Sequence, residues 1–114
     1  MSRFVVLVHD WPVPHLDLLI ERDGVLKAWR LPAEYDGMTS CPAVANADHR
    51  PYYLEYEGPI SGDRGTVARW DAGGAEWEVT LPERIVLRLD GQRLRGLFEI
   101  VRRDASGWEL RRCP

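Results

Sequence analysis

Hydrophobic and polar residues alternate with a period of two along most of this chain, which is the pattern of β-strands. Such alternating or β-branched runs predict strands over residues 3–9, 15–21, 25–31, 52–57, 66–70, 76–80, 84–89, 92–102 and 107–112. Asp23-Gly24 and Asp90-Gly91 are hairpin signals between consecutive runs. No segment keeps a period of 3.6 over ten residues, so no α-helix is predicted.

Short strands at regular spacing favour an all-β fold, a small closed or nearly closed antiparallel β-barrel. Residues 32–51 lack a sustained pattern and predict a long active-site loop, because a loop of this length in a compact domain usually has a function. Residues 71–74, Asp-Ala-Gly-Gly, predict a turn. We expect residues 1–114 to form a single domain.

Composition narrows the class of protein. The chain has 114 residues, of which 45% are hydrophobic and 29% charged, as is ordinary for a globular fold. Its longest apolar run, residues 4–8, is too short to span a membrane or to serve as the core of a signal peptide. Cys41 and Cys113 are the only cysteines, which excludes a disulfide scaffold. We therefore expect a cytoplasmic monomer with free thiols and no membrane partner.

Charge is distributed unevenly along the chain. The formal net charge is −3, but residues 84–114 contain eight arginines and only four acidic residues. Arginines at alternate positions are typical of solvent-facing strands, and they could also contact phosphates. The acidic total argues against an avid, non-specific nucleic-acid binder and leaves room for a local phosphate site.

Candidate chemistry is concentrated where the first two predicted strands meet. His15 and Asp17 share a face of one strand, and the proline-containing turn brings His9 back toward them. Two imidazoles and a carboxylate suit a divalent cation such as Mn²⁺ or Zn²⁺, with positions left for water or a phosphate oxygen. From spacing alone, the alternative is that His9, His15 and Asp17 are ordinary surface residues on a polar face of the sheet. Asp10 is expected to cap the turn.

His49 ends the long predicted loop, beside Arg50 and close to Tyr53. It could act as a general acid or contact a phosphate, and the alternative is an ordinary exposed loop histidine. The chain contains no Walker A, GxGxxG or G-x-S-x-G motif. Nucleotide-binding loops and serine-nucleophile catalysis are therefore not predicted.

Several segments of the chain match one known family, in the family's own order. They are residues 5–10, 15–29, 48–49, 53–60, 65–67, 70–73, 92–98 and 108–110. They include the H-x₅-H-x-D pattern that begins at His9, and a G-T-V triplet followed by W-D-A-G. Together these segments resemble the 3′-phosphoesterase domain of bacterial DNA ligase D, which belongs to the end-joining repair machinery.

This resemblance implies a metal-dependent hydrolase, typically with Mn²⁺ and with Zn²⁺ or Co²⁺ as alternatives. Enzymes of the family remove a 3′-phosphate or a 3′-terminal ribonucleoside from DNA or RNA/DNA 3′ ends in non-homologous end joining. The resemblance implies His9, His15 and Asp17 as metal ligands. It implies His49 and Tyr53 as catalytic residues that contact the phosphate. Separate polymerase or ligase proteins are the expected partners.

Three positions depart from the family's pattern. Leu19 stands where the family has an arginine, Cys41 falls roughly at a second arginine, and Ala47 replaces a glutamate. Fixed positive donors hold a phosphoryl transition state, so their loss would weaken catalysis. The candidate phosphate contacts that could replace these donors are Arg3, Arg30 and Arg50.

Three functions are compatible with the sequence. The first is the metal-dependent phosphoesterase. The second is a catalytically weakened relative that binds a metal or a DNA end within a repair complex, which Leu19 and Ala47 favour. The third is another metallo-barrel, such as a cupin-like oxygenase. Cupins usually supply a further histidine ligand from a late strand, and no histidine follows His49.

Overall fold

The computed structural model describes residues 2–105 and 107–114. These residues form nine strands and one short 3₁₀ helix, and no α-helix occurs among them. The strands are β1 (Ser2–His9), β2 (His15–Arg22), β3 (Val25–Pro32), β4 (Cys41–His49), β5 (Gly58–Pro59), β6 (Thr66–Leu81), β7 (Arg84–Asp90), β8 (Arg95–Asp104) and β9 (Gly107–Arg112). The 3₁₀ helix, η1, is Pro51–Leu54.

Eight of the strands close into an antiparallel barrel. Around the barrel they follow the order β1, β2, β3, β4, β9, β8, β7, β6, and β6 closes the ring by pairing with β1. The short strand β5 pairs with β6 outside this ring. The all-β antiparallel barrel predicted from the alternating pattern is therefore confirmed.

One apolar cluster fills the barrel interior, and all eight barrel strands contribute to it. Phe4 of β1 and Phe98 of β8 are among its largest fully buried side chains. On β2, the predicted face of Leu16, Leu18 and Ile20 points into this interior. The lumen is thus a packed core, and any binding site must lie at its ends or on its outer surface.

A second, smaller apolar cluster lies on the outer face of β1, β2 and β3. Leu7, Leu19 and Leu26 are fully buried there, although the pleat directs them away from the interior. Leu54 of η1 covers them. This outer cluster attaches residues 51–60 to the barrel wall, and that attachment creates a cavity between the segment and the strands.

The prediction of a long loop over residues 32–51 is wrong for residues 41–49, because these residues form β4. This strand pairs with β3 on one side and with β9 on the other. Cys41 and Ala43 point into the core, whereas Val44 is exposed. The small and polar residues of β4 carry a weak local pattern, and pairing with its neighbours decides its conformation.

The strand predicted over residues 52–57 is also wrong, because this segment begins with η1. Pro51 occupies the first turn of the helix, where a backbone N–H would have no partner within the helix, so proline loses no hydrogen bond there. The tyrosines of this run favour a strand by propensity. Packing of Tyr53 and Tyr56 against the outer cluster holds the helical turn instead.

The turn predicted at residues 71–74 does not form, and β6 runs without interruption from Thr66 to Leu81. Gly73 lies in close contact with β7, where a Cβ atom would be only 2.0 Å from the Asp90 carbonyl oxygen. The glycine that signals a turn in the sequence therefore permits a close approach of two strands.

Asp71 of β6 is buried and holds the turn between β7 and β8. Its carboxylate accepts three backbone N–H bonds of 2.8–3.1 Å from Gln92, Arg93 and Leu94. By accepting these bonds, the carboxylate gives the backbone N–H groups of the turn the hydrogen-bond partners that water would otherwise provide.

Replacing Asp71 with alanine should lower the free energy of unfolding by about 2–4 kcal/mol, because one buried unsatisfied donor costs roughly 1–3 kcal/mol. Urea denaturation followed by tryptophan fluorescence measures the change. Asp36→Ala is the matched control, since Asp36 accepts backbone bonds from Met38 and Thr39 at an exposed site. Equal losses in the two variants would contradict burial as the cause.

Candidate metal centre

His9, His15 and Asp17 come together on the outer face of the barrel. His9 is the last residue of β1 and His15 is the first of β2, and the two are direct partners in the β1–β2 pairing. Their rings lie 4.9 Å apart between centroids. Asp17 follows on the same face of β2 as His15. One ligating atom from each residue lies within 4.8 Å of the others, as the sequence spacing predicted.

Each imidazole donates a ring N–H to a main-chain carbonyl oxygen. His9 Nε2 lies 2.9 Å from the Arg64 oxygen, and His15 Nδ1 lies 2.8 Å from the Val13 oxygen. A carbonyl oxygen can only accept, so each ring nitrogen in these bonds carries the proton. In the neutral rings, His9 Nδ1 and His15 Nε2 are therefore acceptors.

These two acceptors face the Asp17 carboxylate. His9 Nδ1 lies 3.2 Å from Asp17 Oδ2, and His15 Nε2 lies 3.1 Å from Asp17 Oδ1. Although it is so close to the carboxylate, His15 Nε2 is buried and has no hydrogen-bond partner among the described residues. In neutral rings, these lone pairs and the negative charge would repel one another. Two imidazole nitrogens and a carboxylate are also a donor set that fits a divalent cation of borderline softness.

The backbone bonds of the two histidines match the usual surroundings of a metal site. Histidine ligands commonly donate their second ring N–H to a carbonyl or carboxylate, which fixes the tautomer and the ring orientation. Here the carbonyls of Val13 and Arg64 have that position. His15 and Asp17 are buried, while His9 is half-buried and borders a cavity.

The cavity has a volume of about 400 Å³ and lies between β1–β2 and residues 48–64. Leu7, His9, Asp17 and Leu19 form its strand side. Its other residues are Trp11, Asp48, His49, Arg50, Tyr52, Tyr53, Ile60, Ser61, Arg64 and Val67. A space of this size accommodates part of a nucleotide.

The predicted catalytic residues His49 and Tyr53 line this cavity together. His49 ends β4, and its ring stands edge-on to that of Tyr53 at 5.8 Å between centroids. His49 Nδ1 donates to the Ala47 carbonyl oxygen at 2.9 Å. Burial raises the pKa of Tyr53, as does a hydrogen bond with Tyr52, so its hydroxyl stays protonated at neutral pH.

The three predicted phosphate contacts lie in different places. Arg50 lines the cavity. Arg3 lies outside it, with its guanidinium 3.6 Å from Glu55 in a separate depression. Arg30 faces Asp17 across the β2–β3 pairing, but it does not line the cavity, and its buried Nε has no hydrogen-bond partner among the described residues.

The three departures from the family pattern also separate in space. Leu19 belongs to the strand side of the cavity and is fully buried. Cys41 points into the barrel interior, where burial raises the pKa of its thiol to about 12. Ala47 is exposed near the end of β4. Leu19 is thus the departure that changes the lining of the cavity.

Sequence reasoning missed Arg64. Its side chain lines the cavity, and its backbone carbonyl oxygen accepts a hydrogen bond from His9 Nε2. Gly62 and Gly65 mark a turn around it, but 55 residues separate Arg64 from His9, so no local pattern connects them. Asp10, expected to cap its own turn, instead bonds to the backbone and hydroxyl of Thr66. The Thr66 bonds lower the pKa of Asp10.

Fold and site together define a small antiparallel β-barrel protein with a cluster of two histidines and one aspartate on its outer face. A profile of the DNA Ligase D 3′-phosphoesterase domain matches residues 8–102. The chain belongs to the DNA Ligase D 3′-phosphoesterase domain family, which confirms the resemblance seen in the sequence.

Similar proteins include the multifunctional non-homologous end joining protein LigD of Mycobacterium bovis, which is 32% identical over 94% of this chain. The protein of the same name from Pseudomonas aeruginosa is 31% identical, also over 94% of this chain. This chain spans only 15% and 14% of the lengths of these two relatives.

Among the described residues, no helix has the length and apolar character needed to cross a membrane.

We expect His15→Ala to lower the affinity for Mn²⁺ or Zn²⁺ by more than about 100-fold, because loss of a partner outside the ligand shell alone costs 10- to 100-fold. Isothermal titration calorimetry measures the affinity. The matched control is His49→Ala, which removes an imidazole from the cavity beside the cluster and leaves the three cluster residues in place. Unchanged affinity in His15→Ala would show that the cluster is not the metal site.

Proposed function

We propose that this chain is a metal-dependent phosphoesterase that removes a 3′-phosphate or a 3′-terminal ribonucleoside from DNA or RNA/DNA ends in end-joining repair. The observation that carries the proposal is the cluster of His9, His15 and Asp17 beside a cavity lined by an imidazole, a phenol and a guanidinium. The family to which the chain belongs supports the same chemistry, and the role of its LigD relatives in non-homologous end joining supports the same setting.

His9, His15 and Asp17 would hold the cation, and Mn²⁺ is the cation proposed. The carbonyls of Val13 and Arg64 orient the two rings, so that the other nitrogen of each ring is aimed at the carboxylate. When bound, a divalent cation supplies a Lewis acid for a phosphoryl oxygen and lowers the pKa of a water nucleophile.

The other cavity residues act on the phosphate and the leaving group. The Ala47 carbonyl holds the proton of His49 Nδ1, so proton transfer to the leaving oxygen takes place at His49 Nε2. The protonated hydroxyl of Tyr53 donates a hydrogen bond to a phosphate oxygen. Arg50 adds positive charge where negative charge develops in the transition state.

A second candidate is a metal- or DNA-end-binding module of a repair complex, with weak or no catalysis. The observation that favours it is Leu19, which gives the cavity an apolar surface two residues from Asp17. Such a module would bind a metal or a DNA end without turnover.

With Mn²⁺, the protein should convert a primer-template that ends in a 3′-phosphate into one that ends in a 3′-hydroxyl, as followed on a denaturing gel. Asp17→Asn should lower kcat/KM by about 100-fold or more, because it removes the charge that holds the cation. His49→Ala should lower kcat by about 10²- to 10⁴-fold, the usual contribution of a general acid. Tyr53→Phe should cost about 10-fold, the value of one hydrogen bond.

Tyr35→Phe is the matched control for Tyr53→Phe. Tyr35 is buried in the barrel interior, and its hydroxyl has no hydrogen-bond partner among the described residues, so its loss should leave activity unchanged. If the wild type forms no product but binds Mn²⁺ or the DNA end in calorimetry, the binding module is correct and the phosphoesterase is not.

A further inference from the structure

The loop between β5 and β6, residues 60–65, carries Arg64 to the edge of the cavity. This loop has a defined conformation, because Gly62, Asp63 and Gly65 all adopt positive φ angles, of 74°, 56° and 79°. The Ile60 N–H donates to the Gly65 carbonyl oxygen at 2.8 Å and closes the loop.

The same loop is packed directly against the connection that follows β1. A Cβ atom on Gly65 would lie 2.2 Å from Asp10 Oδ1 and 2.6 Å from Trp11 Cβ, so no larger residue fits there. Asp10 also accepts the Thr66 N–H at 2.8 Å. Because the Arg64 carbonyl oxygen accepts the His9 ring N–H, the backbone of Arg64 is fixed relative to the histidine cluster.

Ser61 orients the Arg64 side chain. Arg64 Nε donates to the Ser61 carbonyl oxygen at 2.7 Å, and Nη2 donates to the Ser61 hydroxyl at 3.2 Å. A guanidinium has five N–H donors, so these two bonds fix its orientation and leave donors for a ligand. No ion pair of Arg64 occurs among the described residues, whereas Asp48, the acid on the same side of the cavity, pairs with Lys27 at 3.2 Å.

Arg64 and Arg50 are the cations that line the cavity within the described part of the chain. Both lower the pKa of Tyr53 against the larger effect of burial, so both positive charges act on the phenol that faces the same space. Leu19 supplies no charge from the strand side. The positive charge at the cavity lining therefore comes from Arg50 and Arg64.

We propose that Arg64, held by Ser61, is the anchor of a subsite for a terminal phosphomonoester, and that it gives the cavity a preference for 3′-phosphate ends over 3′-hydroxyl ends. A preoriented guanidinium suits this ligand because its parallel N–H groups match two phosphate oxygens. The inference rests on the proposed function for its substrate, but it concerns binding and does not require turnover.

The first test measures binding by fluorescence anisotropy in EDTA, with labelled oligonucleotides that end in a 3′-phosphate or a 3′-hydroxyl. The wild type should bind the 3′-phosphate about 10- to 100-fold more tightly, as expected for hydrogen bonds to a charged group. Arg64→Ala should remove this preference, and Arg64→Lys should restore part of it, because a lysine keeps the charge and loses the fork.

Arg102→Ala is the matched control. It removes one exposed arginine from β8, which stands opposite β2 in the order of strands around the barrel. The preference for the 3′-phosphate should survive in this variant. The alanine at position 64 retains the carbonyl that holds His9, so thermal unfolding and Mn²⁺ affinity of Arg64→Ala should match those of Arg102→Ala.

The second test measures kinetics with Mn²⁺ on the 3′-phosphate substrate. Arg64→Ala should raise KM by about 10-fold or more, since it removes an interaction with the bound phosphate. The proposal is overturned if the wild type binds both ends equally, or if Arg64→Ala keeps the wild-type preference. A preference for the 3′-phosphate that depends on Arg64 without product formation would uphold the subsite and reject the phosphoesterase.

Discussion

The site depends on one constraint on the outside of the barrel. The main-chain bonds of His9 and His15 direct the other nitrogen of each ring at the Asp17 carboxylate. The pairing of β1 with β2 places His9 opposite His15. Neither ring can turn its lone pair away without breaking the bond from its other nitrogen to a main-chain carbonyl. A divalent cation held between these groups would be compatible with this geometry, which is the basis of the proposed metal site.

The second constraint is the apolar cluster on the outer face of β1, β2 and β3. The lumen of this small barrel is filled by side chains and cannot hold a ligand. A site therefore requires a wall added on the outside, and Leu54 provides the attachment by covering Leu7 and Leu19. The helix η1 and the end of β4 then bring His49 and Tyr53 to the histidine cluster from sequence positions more than 30 residues away.

Leu19 serves both of these constraints. As part of the outer cluster it helps to hold the covering segment, and it also forms an apolar part of the cavity wall near Asp17. Positive charge reaches the cavity from the covering side instead, through Arg50 and Arg64. The histidine cluster and the two arginines thus border the same cavity, and Arg64 adjoins the cluster through its backbone bond to His9.

The sequence by itself determined the all-β antiparallel class, the hairpins at Asp23-Gly24 and between β7 and β8, and the meeting of His9, His15 and Asp17. These features are local, because alternation and short turns fix which residues share a face and which strands are neighbours. Only the tertiary structure decided that residues 41–49 form a strand, that residues 51–54 form a helical turn, and that Asp71 lies within a strand. In each case a long-range partner outweighed local propensity: β3 and β9 for β4, the outer cluster for η1, and the backbone N–H groups of residues 92–94 for Asp71. The position of Arg64 at the cavity could not be predicted for the same reason. The hydrogen bond from His9 to its backbone carbonyl joins segments that have no sequence pattern in common.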